Sequence, residues 1–180
     1  MRGYFGIGVE GISKSMNLGS LWRTAHAMGA AFVFTIGAHY ERALGERSDT
    51  SKSSGQVPLY EFADLEGFRL PRGCSLVGVE ILADAEELPS FPHPRRAAYV
   101  LGPERGGLSP ALLARCAHVV KIPTKFSVNL AIAGAIVMYD RLINLGRFAA
   151  RPLVAGQAAE PLPEPVFGPP IRRRKVAAVS

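Results

Sequence analysis

The chain has few cysteines, a single tryptophan and no long apolar run. Cys74 and Cys116 are its only thiols among 180 residues, and no Cys/His cluster surrounds them. That leaves no zinc-type spacing and too few thiols for a disulfide framework, so free thiols in a cytoplasmic protein are expected. No apolar stretch reaches the roughly 18 residues a membrane span needs; the segment 128–138 is apolar but short. The opening MRGYFGIGVEG lacks an apolar stretch that ends in a small-residue cleavage site, so no signal peptide is expected. No G-K-[ST] follows a glycine run, which excludes a Walker-type phosphate loop. Gly6, Gly8 and Gly11 spell G-x-G-x-x-G, but only five residues precede them and no acid lies near 28–31. A dinucleotide fingerprint needs a preceding strand and an acid about 20 residues on, so this match is weak.

Positive charge is plentiful. The formal net charge is +6, and Arg outnumbers Lys by 16 to 5. Guanidinium groups grip phosphate in a bidentate fork, so an RNA partner fits this balance. A compositional bias of the genome fits it equally well. Residues 151–180 carry 5 basic against 2 acidic residues, six prolines from 152 to 170, and the ending IRRRKVAAVS. This Pro-rich basic tail is expected to be disordered. Residues 1–150 are expected to form one domain.

Within that domain strands and helices alternate. Tyr4–Val9, Ala31–Ile36, Ser75–Ile81, Ala97–Leu101 and Val119–Ile122 read as strands. Asn17–Met28 has apolar residues at helical spacing (Leu18, Leu21, Trp22, Ala25, Met28), with Asn17 a candidate N-cap. Ser109–Cys116 reads as a helix with Ser109 as N-cap and Pro110 at its first position. Asn129–Leu145 is the longest predicted helix, and the polar segment 40–57 reads as a mobile loop. The alternation argues for an α/β protein with a mainly parallel sheet and helices on both faces.

Three segments stand out as motifs. Asn17 to Arg23 has the form N-x-G-x-x-x-R. LGPERGGLS, residues 101–109, follows a strong strand and precedes a helix, where open α/β sheets bind ligands. Taken alone it could equally be a tight turn with a solvated Glu104. KIPTKFSVNLAIAGAIVMY, residues 121–139, is a polar lead-in to an apolar helix.

In that order and at those spacings the three segments resemble the SpoU, or TrmH-like, branch of the SPOUT RNA 2′-O-ribose methyltransferases. The resemblance covers roughly residues 4–148. It implies a C-terminal trefoil knot, S-adenosyl-L-methionine as cofactor, and a homodimer with each site near the subunit interface. It implies catalytic roles for Asn17, Arg23, Glu104, Ser127 and Asn129. It places Val79, Leu101, Gly102, Gly107, Ile122, Ser127, Val128 and Leu130 around the cofactor. The third motif departs mildly from the usual S-L-N or S-M-N by reading Ser127-Val128-Asn129. No metal and no membrane are implied. RNA is the implied partner, tRNA favoured over rRNA. The alternatives are an rRNA 2′-O-methyltransferase and an RNA-binding relative that has lost catalysis.

Arg23 is not a ready proton acceptor, since a guanidinium holds its proton too firmly. Its expected role is contact with the substrate phosphate or hydroxyl and stabilisation of the developing alkoxide. Ser127 and Asn129 are expected to orient the ribose or the cofactor. None of His26, His39, His93 and His118 falls at a reactive position of the motifs, and His118 is expected at the surface or a strand edge.

Overall fold

The computed structural model describes residues 3–39, 55–146, 148–149, 151–152, 154–159 and 161. Most of the expected loop (40–54) and most of the tail (162–180) lie outside the described residues. The chain divides into two units, Met1–Gly146 and Arg147–Ser180. In the second, the described residues include a turn in which Gln157 N–H donates to the Val154 carbonyl at 3.3 Å.

The first unit is built on a parallel sheet. Its strands among the described residues are β1 (Tyr4–Glu10), β2 (Phe32–Ile36), β3 (Leu59–Phe62), β4 (Ser75–Val79), β5 (Glu86–Glu87), β6 (Arg96–Leu101) and β7 (His118–Lys121). Their order is β3-β2-β1-β6-β4-β7-β5, and every pairing is parallel. The helices are α1 (Ser15–Ala27), the single turn α2 (Pro110–Leu113) and α3 (Leu130–Leu145).

Period-two alternation divides the strand residues between two cores. Phe5, Ile7 and Val9 of β1 join Val77, Val79, Tyr99 and Leu101 beneath Leu18, Leu21, Trp22, Val137 and Met138 of α1 and α3. The opposite face holds Phe32, Phe34, Leu76, Ala98 and Val100. Its cover among the described residues is not a long helix. Leu65, Phe68, Leu108 and Leu112, from a loop and from the one-turn α2, do that work.

Gly6 and Gly8 now have a packing reason. Added Cβ atoms there would run into the rings of Phe32 and Phe34, which lean across β1. Gly134 likewise admits Leu21 where α1 crosses α3. Of the glycines that imitate a dinucleotide fingerprint, Gly6 and Gly8 are spaces for side chains of the neighbouring strand, and Gly11 takes a positive φ of 64°.

Several expectations need correction. Helix α1 begins two residues before Asn17, with Lys14 at the N-cap position; Asn17 sits inside the first turn and does not cap it. Residues 55–57, expected to be loop, are tied down at their end. Val57 is buried, and its carbonyl accepts from Trp22 Nε1–H at 2.9 Å. Strand β4 ends at Val79, two residues short of the expected Ile81. The edge strands β3 and β5 were not expected at all. Ser109 does cap α2, its hydroxyl accepting from Leu112 N–H at 3.2 Å. Asn129 caps α3, its Oδ1 accepting from Ala131 N–H at 2.9 Å and Ile132 N–H at 3.4 Å. Both cysteines are free thiols. Burial pushes the Cys116 thiol up to about 11.

A polar group lies buried under the amino edge of the sheet. Arg141 of α3 is only 5% exposed. Its guanidinium donates to the carbonyls of Pro94 at 2.6 Å and Arg95 at 2.9 Å, and to the Tyr99 hydroxyl at 3.1 Å. Tyr99 Oη lies 2.6 Å from His93 Nδ1, and His93 Nε2 lies 2.8 Å from Asp140. One assignment satisfies every member: Arg141 donates to Tyr99, Tyr99 donates to His93, and a neutral His93 donates to Asp140.

Candidate functional site

Parallel strands leave their ligand crevice beyond their carboxyl ends. A cavity of about 360 Å³ opens there. Strand β4 contributes Val79 and leads to Glu80; β6 contributes Leu101 and leads to Gly102 and Glu104; β7 leads to Ile122 and Thr124. The turn Ser127-Val128-Asn129 and the first residues of α3 complete the wall, and Lys14 and Asn17 face it from α1.

The three motifs, far apart in sequence, are joined here by side chains. Asn17 Nδ2 donates to Glu104 Oε1 at 2.8 Å. Asn17 Oδ1 accepts from Asn129 Nδ2 at 3.1 Å. Ser13 Oγ donates to the other Glu104 oxygen at 3.3 Å. Asn17 is therefore a bridge, using both ends of its amide. Burial pushes the Glu104 carboxyl up, but hydrogen bonds from Asn17, its own backbone and Ser13 outweigh this and hold it below the ordinary carboxylate value. Glu104 is ionised at neutral pH, serving as an acceptor and not as an acid.

Of the sequence-derived catalytic residues, Asn17, Glu104, Ser127 and Asn129 line the cavity. Arg23 does not. It is exposed on α1, six residues on from Asn17 and so about 9 Å further along the helix axis. Of the cofactor set, Val79, Leu101, Gly102, Ile122, Ser127, Val128 and Leu130 line the cavity, and Gly107 does not. Gly107 instead leaves room for Glu80, whose Oε2 would sit 2.6 Å from an added Cβ.

Lys14, Glu80, Pro103, Gly106 and Thr124 also line the cavity and were missed in the sequence. Glu80 had a usable signal, an acid directly after a strongly apolar strand. Lys14 had none, because its place depends on where α1 starts. Among the described residues no group of three or more His, Cys, Asp or Glu side chains could hold a metal.

The SpoU rRNA Methylase family matches residues 5–139 of this chain. The chain belongs to that family. The match runs from β1 into the middle of α3, and so includes every segment that lines the cavity.

Similar proteins extend the comparison. The tRNA (guanosine(18)-2′-O)-methyltransferase TARBP1 of Mus musculus is 29% identical over 138 residues, 72% of this chain but 9% of its own length. The AdoMet-bound rRNA methyltransferase from Sinorhizobium meliloti aligns with a TM-score of 0.72 at 22% identity, covering 82% of this chain and 59% of that one. A protein studied for the 2-OH methylation of C/U34 on tRNA aligns with a TM-score of 0.68 at 24% identity, covering 81% of this chain and 98% of that one. These structures share the fold of this SpoU family chain. The chain spans a small part of the mouse protein and under two thirds of the Sinorhizobium one.

Proposed function

We propose that this SpoU family chain is an S-adenosyl-L-methionine-dependent RNA methyltransferase that modifies a ribose 2′-hydroxyl. The Asn17 bridge carries the reading, since it ties the three motifs together at the mouth of one cavity. The residues fit the cofactor. Val79, Leu101, Ile122, Val128 and Leu130 offer apolar walls, and Glu80, Glu104 and Ser127 offer polar ones. When bound, S-adenosylmethionine supplies an electrophilic methyl group on a sulfonium centre.

The remaining work belongs to the protein. Much of it is positioning, since the methyl donor is already activated. Ser127 and Asn129 orient the ribose. Glu104, ionised and fixed by Asn17 and Ser13, holds the 102–106 turn in place. Arg23 contacts the phosphate or hydroxyl and stabilises the alkoxide as its proton leaves. Phe126, 77% exposed just before the Ser127-Val128-Asn129 turn, offers a flat face to an unstacked nucleobase.

The proposal includes a homodimer. Ile132, Tyr139 and Ile143 follow helical spacing along α3 and are 55%, 52% and 43% exposed, and Met16 on α1 is 70% exposed. Arg23 lies on the same outward stripe of α1 as Met16. A second copy packed on this face presents Arg23 to the partner subunit's cavity, which accounts for its place outside its own. A trefoil knot belongs to the same proposal, supported by the family match over residues 5–139. The proposed compartment is the cytoplasm, supported by the free thiols.

Transfer RNA is the favoured substrate, supported by the protein studied for C/U34 methylation, nearly all of whose length this fold covers. The test is incubation with methyl-labelled cofactor and either total tRNA or total rRNA, then mapping of resistance to alkaline cleavage. Label at one protected tRNA position is expected. Label in rRNA alone redirects the substrate, and no label in either overturns the activity.

A further inference from the structure

We infer that Glu80 is a positioning residue for this cavity, bracing the Gly106–Ser109 stretch in the shape the ligand requires, with Glu10 as a second and more forgiving brace. The inference rests on the proposal that the cavity takes S-adenosylmethionine.

The stretch after β6 turns back on itself. A Cβ on Gly102 would lie 2.9 Å from the Leu108 nitrogen. Such a turn leaves backbone N–H groups that neither sheet nor helix pairs, and buried donors need partners. Two carboxylates supply them. Glu80 Oε2 accepts from Leu108 N–H at 2.8 Å, and Oε1 accepts from Ile81 N–H at 2.9 Å. Glu10, the last residue of β1, accepts from Ser109 N–H at 2.7 Å and from its hydroxyl at 2.6 Å. Glu80 also lines the cavity, so it is both brace and wall.

The two braces differ in what they face. Both Glu80 oxygens meet backbone N–H groups, which only donate. Glutamine at 80 turns its NH₂ towards one of them, so two donors oppose each other and one bond is lost. Glu10 meets one N–H and one hydroxyl. A hydroxyl can rotate and accept, so glutamine at 10 can keep both contacts. The near-isosteric change is damaging at one position and mild at the other.

The experiment uses the full chain, calorimetric titration with S-adenosylhomocysteine, and thermal melting. Glu80→Gln and Glu80→Ala are each expected to weaken binding by about tenfold or more, and Glu10→Gln by much less. Gly107→Ala supplies a second route. Its Cβ pushes the end of the flexible Glu80 side chain aside without removing the charge, so binding weakens while Tm falls no further than in Glu80→Ala. Should the Glu80 variants fail to fold, Gly107→Ala decides the matter. Parental affinity in Glu80→Gln or Gly107→Ala, or equal loss in Glu10→Gln and Glu80→Gln, overturns the inference. Failure of the unmodified chain to bind S-adenosylhomocysteine overturns the cofactor proposal, and the inference falls with it.

Discussion

At the scale of single residues, the roles proposed for Asn17 and Arg23 divide the labour of one helix. Asn17 works by having a donor and an acceptor at opposite ends of its amide. Asn17→Asp removes the donor and sets a carboxylate against Glu104, so like charges meet where a 2.8 Å hydrogen bond stood. Binding of S-adenosylhomocysteine should fall further in Asn17→Asp than in Asn17→Ala, and calorimetry would reveal the reverse order if the bridge is unimportant. Arg23, outside its own cavity, should behave differently. Arg23→Ala should abolish methyl transfer with cofactor affinity intact, and Arg23→Lys should recover little, because lysine keeps the charge and loses the planar fork. Near-normal single-turnover rates in Arg23→Ala would remove it from the chemistry.

At the scale of elements, the buried group under α3 makes a prediction about pH. Burial lowers the His93 pKa from 6.5, with Asp140 opposing and Arg141 adding to the effect. The unfolded chain therefore takes up a proton at higher pH than the native one. Its contribution to stability is complete above about 6.5 and is lost as pH falls from there towards the native value. His93→Gln keeps hydrogen-bonding ends without a titration, so Tm measured from pH 7.5 down to 5.5 should fall less steeply in that variant. An unchanged slope would point to other groups. Arg141→Ala should cost about 2–4 kcal/mol by denaturant titration, since it removes several charge-assisted bonds at once.

Elements with a strong period were legible in the sequence. β1, β2, β4, β6 and β7 declared themselves as short apolar runs, α1 by helical spacing and α3 as a longer apolar stretch behind a polar lead-in. The cap at Ser109 followed from local hydrogen-bonding chemistry, which needs no tertiary knowledge, whereas Asn129 was expected only as a site residue and its capping of α3 came from the structure. β3, LYEF, escaped notice because an edge strand of four residues, half of them exposed, has almost no pattern. β5 is two glutamates and is a strand only because β7 lies beside it. Asn17 misled because a residue that caps well can also serve as a bridge in the wall of a site. The Arg141 group was invisible, as its acceptors come from residues 94, 95 and 99, more than 40 positions away.

At the scale of the whole molecule, the exposed stripe on α3 argues for assembly. Ile132, Tyr139 and Ile143 form a longer apolar line than a solvated helix normally leaves. Under the proposed homodimer, Tyr139→Glu should shift the protein towards monomer in sedimentation and reduce methyl transfer, because Arg23 would no longer reach a partner. A monomeric variant of full activity would place the complete site within one chain.

The Asn17 bridge has a consequence for how this protein comes into being. Its two hydrogen bonds join residues 87 and 112 positions apart, and the Glu10 contacts close a span of 99. Closures of that length come late, after local pieces have formed. A nascent chain has no partial cavity to offer until α3 has docked. Ligand capture is then a signal that folding has finished, and S-adenosylmethionine in the surrounding solution would select the completed chain over every earlier one.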